Sequence, residues 1–152
     1  MTTANDFQAR VDRAEAELRR HIDEVVEALR TKDLEALRQL YTTDVVSFDV
    51  EPPLVHAGIE AKLENWAKVF RFFVTVVYEI RDLTFTVDGN VAFGHAFARL
   101  HGTLQNGEAA QGMWVRVTYG MRRVGDTWLI AHDQVSVPFD ITTGNGVTDL
   151  EP

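Results

Sequence analysis

The sequence predicts an α+β domain in which three N-terminal helices pack on one face of a strongly bent antiparallel sheet. Two observations carry this. Apolar residues recur at steps of three and four before Val45 and again from Ile59 to Phe70, and from Val74 onward the period changes to two. Asp88-Gly89-Asn90, Asn106-Gly107 and Gly125-Asp126 then divide the second half at turns of hairpin type.

The elements follow in order. Phe7, Val11, Ala14, Leu18, Ile22, Val25 and Leu29 line one face of a long amphipathic helix, for which Asn5 and Gln8 are the expected capping box. Arg30-Thr31-Lys32 interrupts that stripe, and Asp33 caps a short second helix bearing Leu34, Leu37 and Leu40. A short apolar strand lies within Tyr41–Gly58 and ends at Pro52-Pro53. Ile59, Leu63, Trp66 and Phe70 mark a third helix, followed by strands at about Val74–Val87, Val91–Gln105, Gly112–Val124 and Thr127–Val137. No repeat, linker or low-complexity segment interrupts the pattern. Residues 1–152 read as a single domain, with 139–152 an extended C-terminal tail.

Composition narrows the function classes. With 152 residues and 45% hydrophobic content the chain can bury one core unaided. Zero cysteines exclude disulfides and thiolate metal sites, so a reducing cytoplasm is the expected compartment. The polar start Met1-Thr2-Thr3-Ala4-Asn5-Asp6 lacks the features of a secretory signal, and no run approaches the roughly 20 apolar residues that span a bilayer. A net charge of −8 repels phosphate backbones and acidic lipids, which makes nucleic acid and membrane poor partners. The histidines at 21, 56, 95, 101 and 132 show no His-x-His or His-Glu-x-x-His spacing, and neither metal nor cofactor is expected.

The candidate chemistry starts at the first strand. Val46, Phe48 and Val50 share one face, and Val45, Ser47 and Asp49 the other. A carboxylate in such a strand faces solvent, meets a partner, or sits in a cavity where burial raises its pKa and makes it a proton acceptor. Asp49 is therefore the leading candidate. The Gly125-Asp126 hairpin decides what joins it. A three-residue loop, Val124 to Asp126, sets Thr118 opposite His132 and Arg116 opposite Gln134, and turns Trp114, Arg116, Thr118, Trp128, Ile130, His132, Gln134 and Ser136 toward the helices. A two-residue loop brings Val117, Tyr119 and Met121 there instead. Along Val91–Leu100 the parity of Ala92, Gly94, Ala96 and Ala98 is all small, which implies close packing on that face and His95 on the other.

Leu29–Asp49, Trp114–Pro138 and the tail from Ser136 to Leu150 resemble the NTF2-like superfamily, in particular its SnoaL-like and ketosteroid-isomerase-like branch. The resemblance implies a cystatin-like cone around an apolar small-molecule pocket, and a homodimer. The carboxylate that serves ketosteroid isomerases as proton-shuttling base falls on Asp49, and the glycine that opens their third helix on Gly58. NTF2-like pockets also present an arginine from the strand of Arg116, which favours the three-residue loop. In that register the other face carries Met113, Val115, Val117, Tyr119 and Met121, with Val135 and Val137 beside them. A second copy related by a twofold axis would cover such a patch. The isomerases' tyrosine donor falls on Val25, which cannot donate, and the strand of their second donor holds no carboxylic acid. Steroid isomerisation in its usual form is therefore not expected.

Two functional readings follow. In the first, a cofactor-independent isomerase, cyclase or hydratase uses Asp49 as general base, and Arg116 with His132 or Gln134 stabilises the oxyanion. In the second, a non-catalytic dimeric domain holds a small apolar or carboxylate-bearing molecule through Arg116. The expected cavity has walls from Val25, Leu29, Leu63, Trp66, Trp114 and Ile130 and a floor of Asp49 and His132, with Arg116 or Gln134 in reach. His132-Asp133-Gln134-Val135-Ser136-Val137-Pro138 is close to a His-x-His-x-Ser-x-Pro ending of SnoaL-like sequences, with Gln134 in place of the second histidine. Direct contact of Asp49 with Arg116 would leave an ionised, committed aspartate, and separation a poised base.

Overall fold

Helix α1 (Ala4–Arg30) begins two residues earlier than a cap at Asn5 would set it. In the computed structural model, which describes residues 2–152, the Thr3 hydroxyl accepts from the Asp6 amide and the Asp6 carboxylate accepts from the Thr3 amide, both at 3.1 Å. The capping box is thus Thr3–Asp6 rather than Asn5–Gln8. The stripe from Ala14 to Leu29 is buried as its spacing requires, whereas Phe7 stays exposed. Helix α2 (Leu34–Arg38) is capped by Asp33, which accepts from the Ala36 amide at 3.0 Å. His21 joins the two helices, its Nε2 lying 2.9 Å from the Leu40 carbonyl, and burial pushes the imidazole below its usual pKa.

The chain continues through β1 (Tyr41–Phe48), β2 (His56–Ala57), α3 (Ile59–Phe70), β3 (Phe73–Asp88), β4 (Val91–Leu104), β5 (Ala109–Ala110), β6 (Trp114–Val124), β7 (Thr127–Ser136), β8 (Phe139–Asp140) and β9 (Asn145–Gly146). The main sheet runs β2-β1-β7-β6-β4-β3, with β5 also paired to β4, while β8 and β9 form a separate ribbon in the tail. Every pairing is antiparallel except β1 with β7, so the sheet is mixed. These two strands are far apart in sequence and no hairpin turn dictates their direction. Register shifts in β3 between Arg81 and Thr84, where Asp82 has φ 56°, and in the β6–β7 pair help to bend the sheet.

The decisive hairpin has the shorter loop. Val124 pairs with Thr127, leaving only Gly125 and Asp126, with Gly125 at φ 62° as such a turn demands. Val115, Val117, Tyr119 and Met121 therefore face the helices and are buried, while Arg116 and Thr118 are exposed on the outer face. The β7 strand adds a second reversal. Met121 pairs with Ile130 but Gly120 pairs with His132, so Ala131 is an extra residue. Trp128 and Ile130 point inward as expected, but beyond the bulge the inward positions pass to Asp133 and Val135. The apolar patch expected to cover a dimer is accordingly the inner face of the sheet.

Helix and sheet are locked by Glu17, which accepts from Arg123 at 3.1 Å and from the Trp128 indole at 3.2 Å. On β4 the small residues Ala92, Ala96 and Ala98 are buried and His95 lies outside, its Nε2 3.1 Å from the Thr84 hydroxyl. Among the described residues no helix is long and apolar enough to cross a membrane.

Candidate functional site

Three elements bring charge to one point. Inward alternation on β1 buries Ser47 and leaves Asp49 just past the strand end on the same face. Parallel pairing sets Ser47 beside Asp133 of β7. On α3, Lys62 stands three residues after Ile59 and four before Trp66, within the helix's apolar stripe, and its ammonium reaches across to both strands. Its Nζ lies 2.8 Å from Asp49 Oδ1, 3.0 Å from Asp133 Oδ2 and 2.8 Å from Ser47 Oγ. Ser47 in turn donates to Asp133. Asn65, one turn along α3, donates to Asp49 Oδ2 at 2.9 Å. His56 Nδ1 is 3.3 Å from the same oxygen but outside hydrogen-bond geometry.

Electrostatics fix the protonation of the cation. Burial disfavours the Lys62 ammonium, but Asp133, Tyr41 and Asp49 outweigh it and hold the pKa above the usual lysine range. Three phenols close the polar region. Burial pushes Tyr78 up to about 12 and raises Tyr41 and Tyr119 as well, so each keeps its proton near neutral pH.

The cluster forms the end of a cavity of about 280 Å³. Its apolar walls include Val25 of α1, Trp66 and Val69 of α3, Leu100 of β4, and Val115 and Val117 of β6. Trp66 packs against Phe70 and edge-on to Tyr78, with centroids 6.0 and 6.1 Å apart. Its indole Nε1 is buried and makes no hydrogen bond among the described residues. Gly112 completes the rim at φ 68°. A Cβ there would lie 1.9 Å from the Leu100 carbonyl oxygen, so the close passage of the chain over β4 demands glycine.

Asp49, Val25 and Trp66 thus line the same cavity. Leu29, Leu63 and Ile130 are buried in the core but do not line it. Arg116 is on the outer face, so it neither pairs with Asp49 nor offers the pocket an anion site. Trp114 lies outside too, its ring under the guanidinium groups of Arg81 at 4.6 Å and Arg99 at 5.0 Å. His132 Nδ1 is 2.6 Å from the Val46 carbonyl and its ring meets Phe48 edge-on. Gln134 is exposed beside a shallow groove with Phe48 and Leu54. The two-residue loop displaced Trp114 and Arg116, and the Ala131 bulge displaced His132 and Gln134. Sequence reasoning missed Lys62, Asn65, Asp133, Tyr41 and Tyr78. Among the described residues no group of three histidine or carboxylate side chains is arranged to hold a metal.

The SnoaL-like domain profile matches residues 18–140. The chain belongs to the SnoaL-like domain family. An NTF2-like protein of unknown function from Pseudomonas putida KT2440 is 30% identical and superposes with a TM-score of 0.82, over 93% of this chain and 98% of that one. A ketosteroid isomerase-like protein from Erwinia carotovora atroseptica is 19% identical, with a TM-score of 0.66 over 80% of this chain and 93% of that one. A candidate dehydratase of the NTF2-like family from Streptomyces avermitilis is also 19% identical, with a TM-score of 0.70 over 80% and 93%. The last two likenesses establish the fold alone. No curated protein matches the chain significantly.

Proposed function

We propose that this SnoaL-like protein binds a small, largely apolar molecule in its cone, with Asp49, Lys62 and Asp133 as the polar end of the site. The observation that carries this is the Asp49–Lys62 ion pair at the end of an apolar cavity. Both Asp49 oxygens already accept hydrogen bonds, from Lys62 at 2.8 Å and from Asn65 at 2.9 Å, and a carboxylate engaged in this way favours binding over base catalysis. The cavity is at the small end of ligand sites and fits a one- or two-ring molecule. Val115→Phe, which fills the cavity from β6, tests it. Single-ring alcohols are expected to raise the melting temperature of the wild type and not of the variant. Equal stabilisation of both would refute the site.

A proton-transfer enzyme of isomerase, cyclase or hydratase type, with Asp49 as base, is the second reading. It is favoured by the three protonated tyrosines lining the same cavity, which supply donors for a developing oxyanion that Val25 cannot. Protein-dependent exchange of a bound ketone's α-protons in deuterated water, abolished in Asp49→Asn, would establish it. The homodimer remains a proposal from the family resemblance. With the inner face closed, its contact surface would be the outer face, where Val77, Val91 and Phe93 are exposed. A monomer mass by light scattering at micromolar concentration would remove it.

A further inference from the structure

The cavity has one ammonium, and that ammonium has nothing left to give. Lys62 carries three N–H donors, and they are directed at Asp49, Asp133 and Ser47. Acceptors, in contrast, remain. A carboxylate offers about four lone-pair positions. Asp49 receives Lys62 and Asn65, Asp133 receives Lys62, and the single Ser47 hydroxyl proton lies within reach of both carboxylates, which leaves each with unused capacity. Charge points the same way: of the charged residues lining the cavity, Asp49, Glu51 and Asp133 are acidic and only Lys62 is basic.

We infer that the bound molecule carries a hydrogen-bond-donating, neutral or cationic head group, a hydroxyl or an ammonium, on its small apolar body, and that carboxylates are rejected. This rests on the small-molecule reading and narrows it. A ligand carboxylate entering here would meet two anions without a free cation, a repulsion that the neutral phenol and indole donors of the cavity do not offset. An alcohol or ammonium instead donates into lone pairs that the protein leaves open. The chemistry is the reverse of the anion site that an inward Arg116 would have made.

Four probes sharing one ring separate the terms: benzyl alcohol, benzylamine, benzoate and toluene, titrated calorimetrically into the full chain. The alcohol and the amine are expected to bind at least roughly tenfold more tightly than benzoate. The preference of amine over benzoate should narrow in Asp133→Asn. It should narrow also in Glu51→Gln, a change at an exposed position that leaves the buried cluster intact and so stands if the first variant misfolds. Benzoate binding as tightly as benzyl alcohol would overturn the inference. Toluene binding as tightly as the alcohol and amine would overturn it too, while leaving the cavity reading standing. Absence of binding by all four would refute both.

Discussion

The ammonium of Lys62 lies 2.8 Å from Asp49 Oδ1, with 2% of one side chain and 9% of the other exposed. Neither charge is at the surface, and a second carboxylate, Asp133, shares the same ammonium. Withdrawing such ions from water costs several kcal/mol each, and their attraction repays this only when hydrogen bonds complete the arrangement, as Ser47 and Asn65 do here. A hydrophobic core does not need the group. Its position at the end of the apolar cavity is the reason to regard it as a site.

Removing the cation should therefore be severe. Lys62→Met leaves two buried carboxylates unpaired and is expected to destabilise the fold by about 3–5 kcal/mol in urea denaturation. Adding Asp49→Asn and Asp133→Asn to that variant should recover part of the loss. A cost below about 1 kcal/mol for Lys62→Met alone would mean the three groups do not interact as described.

Alkaline pH should weaken the fold through the same region. Tyr78 is pushed up to about 12, above the roughly 10 of an unfolded tyrosine, and Lys62 is likewise raised above its unfolded value near 10.4. For each, the unfolded chain loses its proton first. The contribution to stability is intact below about pH 10 and is lost as pH rises through the folded value. Tyr78→Phe should flatten the decline of the urea midpoint above about pH 10. An unchanged slope would remove Tyr78 from the account.

The hairpin register makes opposite forecasts for neighbouring residues. Arg116→Ala and Gln134→Ala, on exposed side chains, should change stability by no more than about 0.5 kcal/mol and leave ligand binding untouched. Val117→Ala, on the inner face at 2% exposure, should cost about 1–3 kcal/mol. The reverse ranking would restore the three-residue loop.

Gly112→Ala should be costly although it adds a single methyl. The positive φ and the Leu100 carbonyl 1.9 Å from the added carbon force the backbone to move, at about 2 kcal/mol or more, and both residues line the cavity. Weaker probe binding in a variant that still folds is the expected result.

What the sequence revealed and hid has a common physical cause. Helix and strand limits were legible because the period changes at Val74, and Asp49 because alternation along β1 carries Val45 and Ser47 to the same inner face. Alternation fails where a residue is inserted. One extra residue, Ala131, exchanges the faces of everything after it in β7, so that Asp133 replaces His132 and Gln134 inside. No composition rule marks that bulge. Lys62 was visible in principle, since its spacing from Ile59 and Trp66 matches the buried stripe, but a lysine at such a position more often extends its charge back to water. The tyrosine donors come from β1, β3 and β6, and only pairing across the sheet shows that they converge.

The indole N–H of Trp66 reports on the central claim directly. It is buried at the cavity and unpartnered, whereas Trp114 lies on the outer face and Trp128 is bonded to Glu17, so the protein carries one indole in the site and two controls. In an assigned ¹H–¹⁵N spectrum titrated with benzyl alcohol, the Trp66 indole signal should shift together with the Asn65 side-chain amide, while those of Trp114 and Trp128 stay in place. Movement of the Trp114 signal with Trp66 unmoved would contradict the account and return the binding surface to the outer face of the sheet.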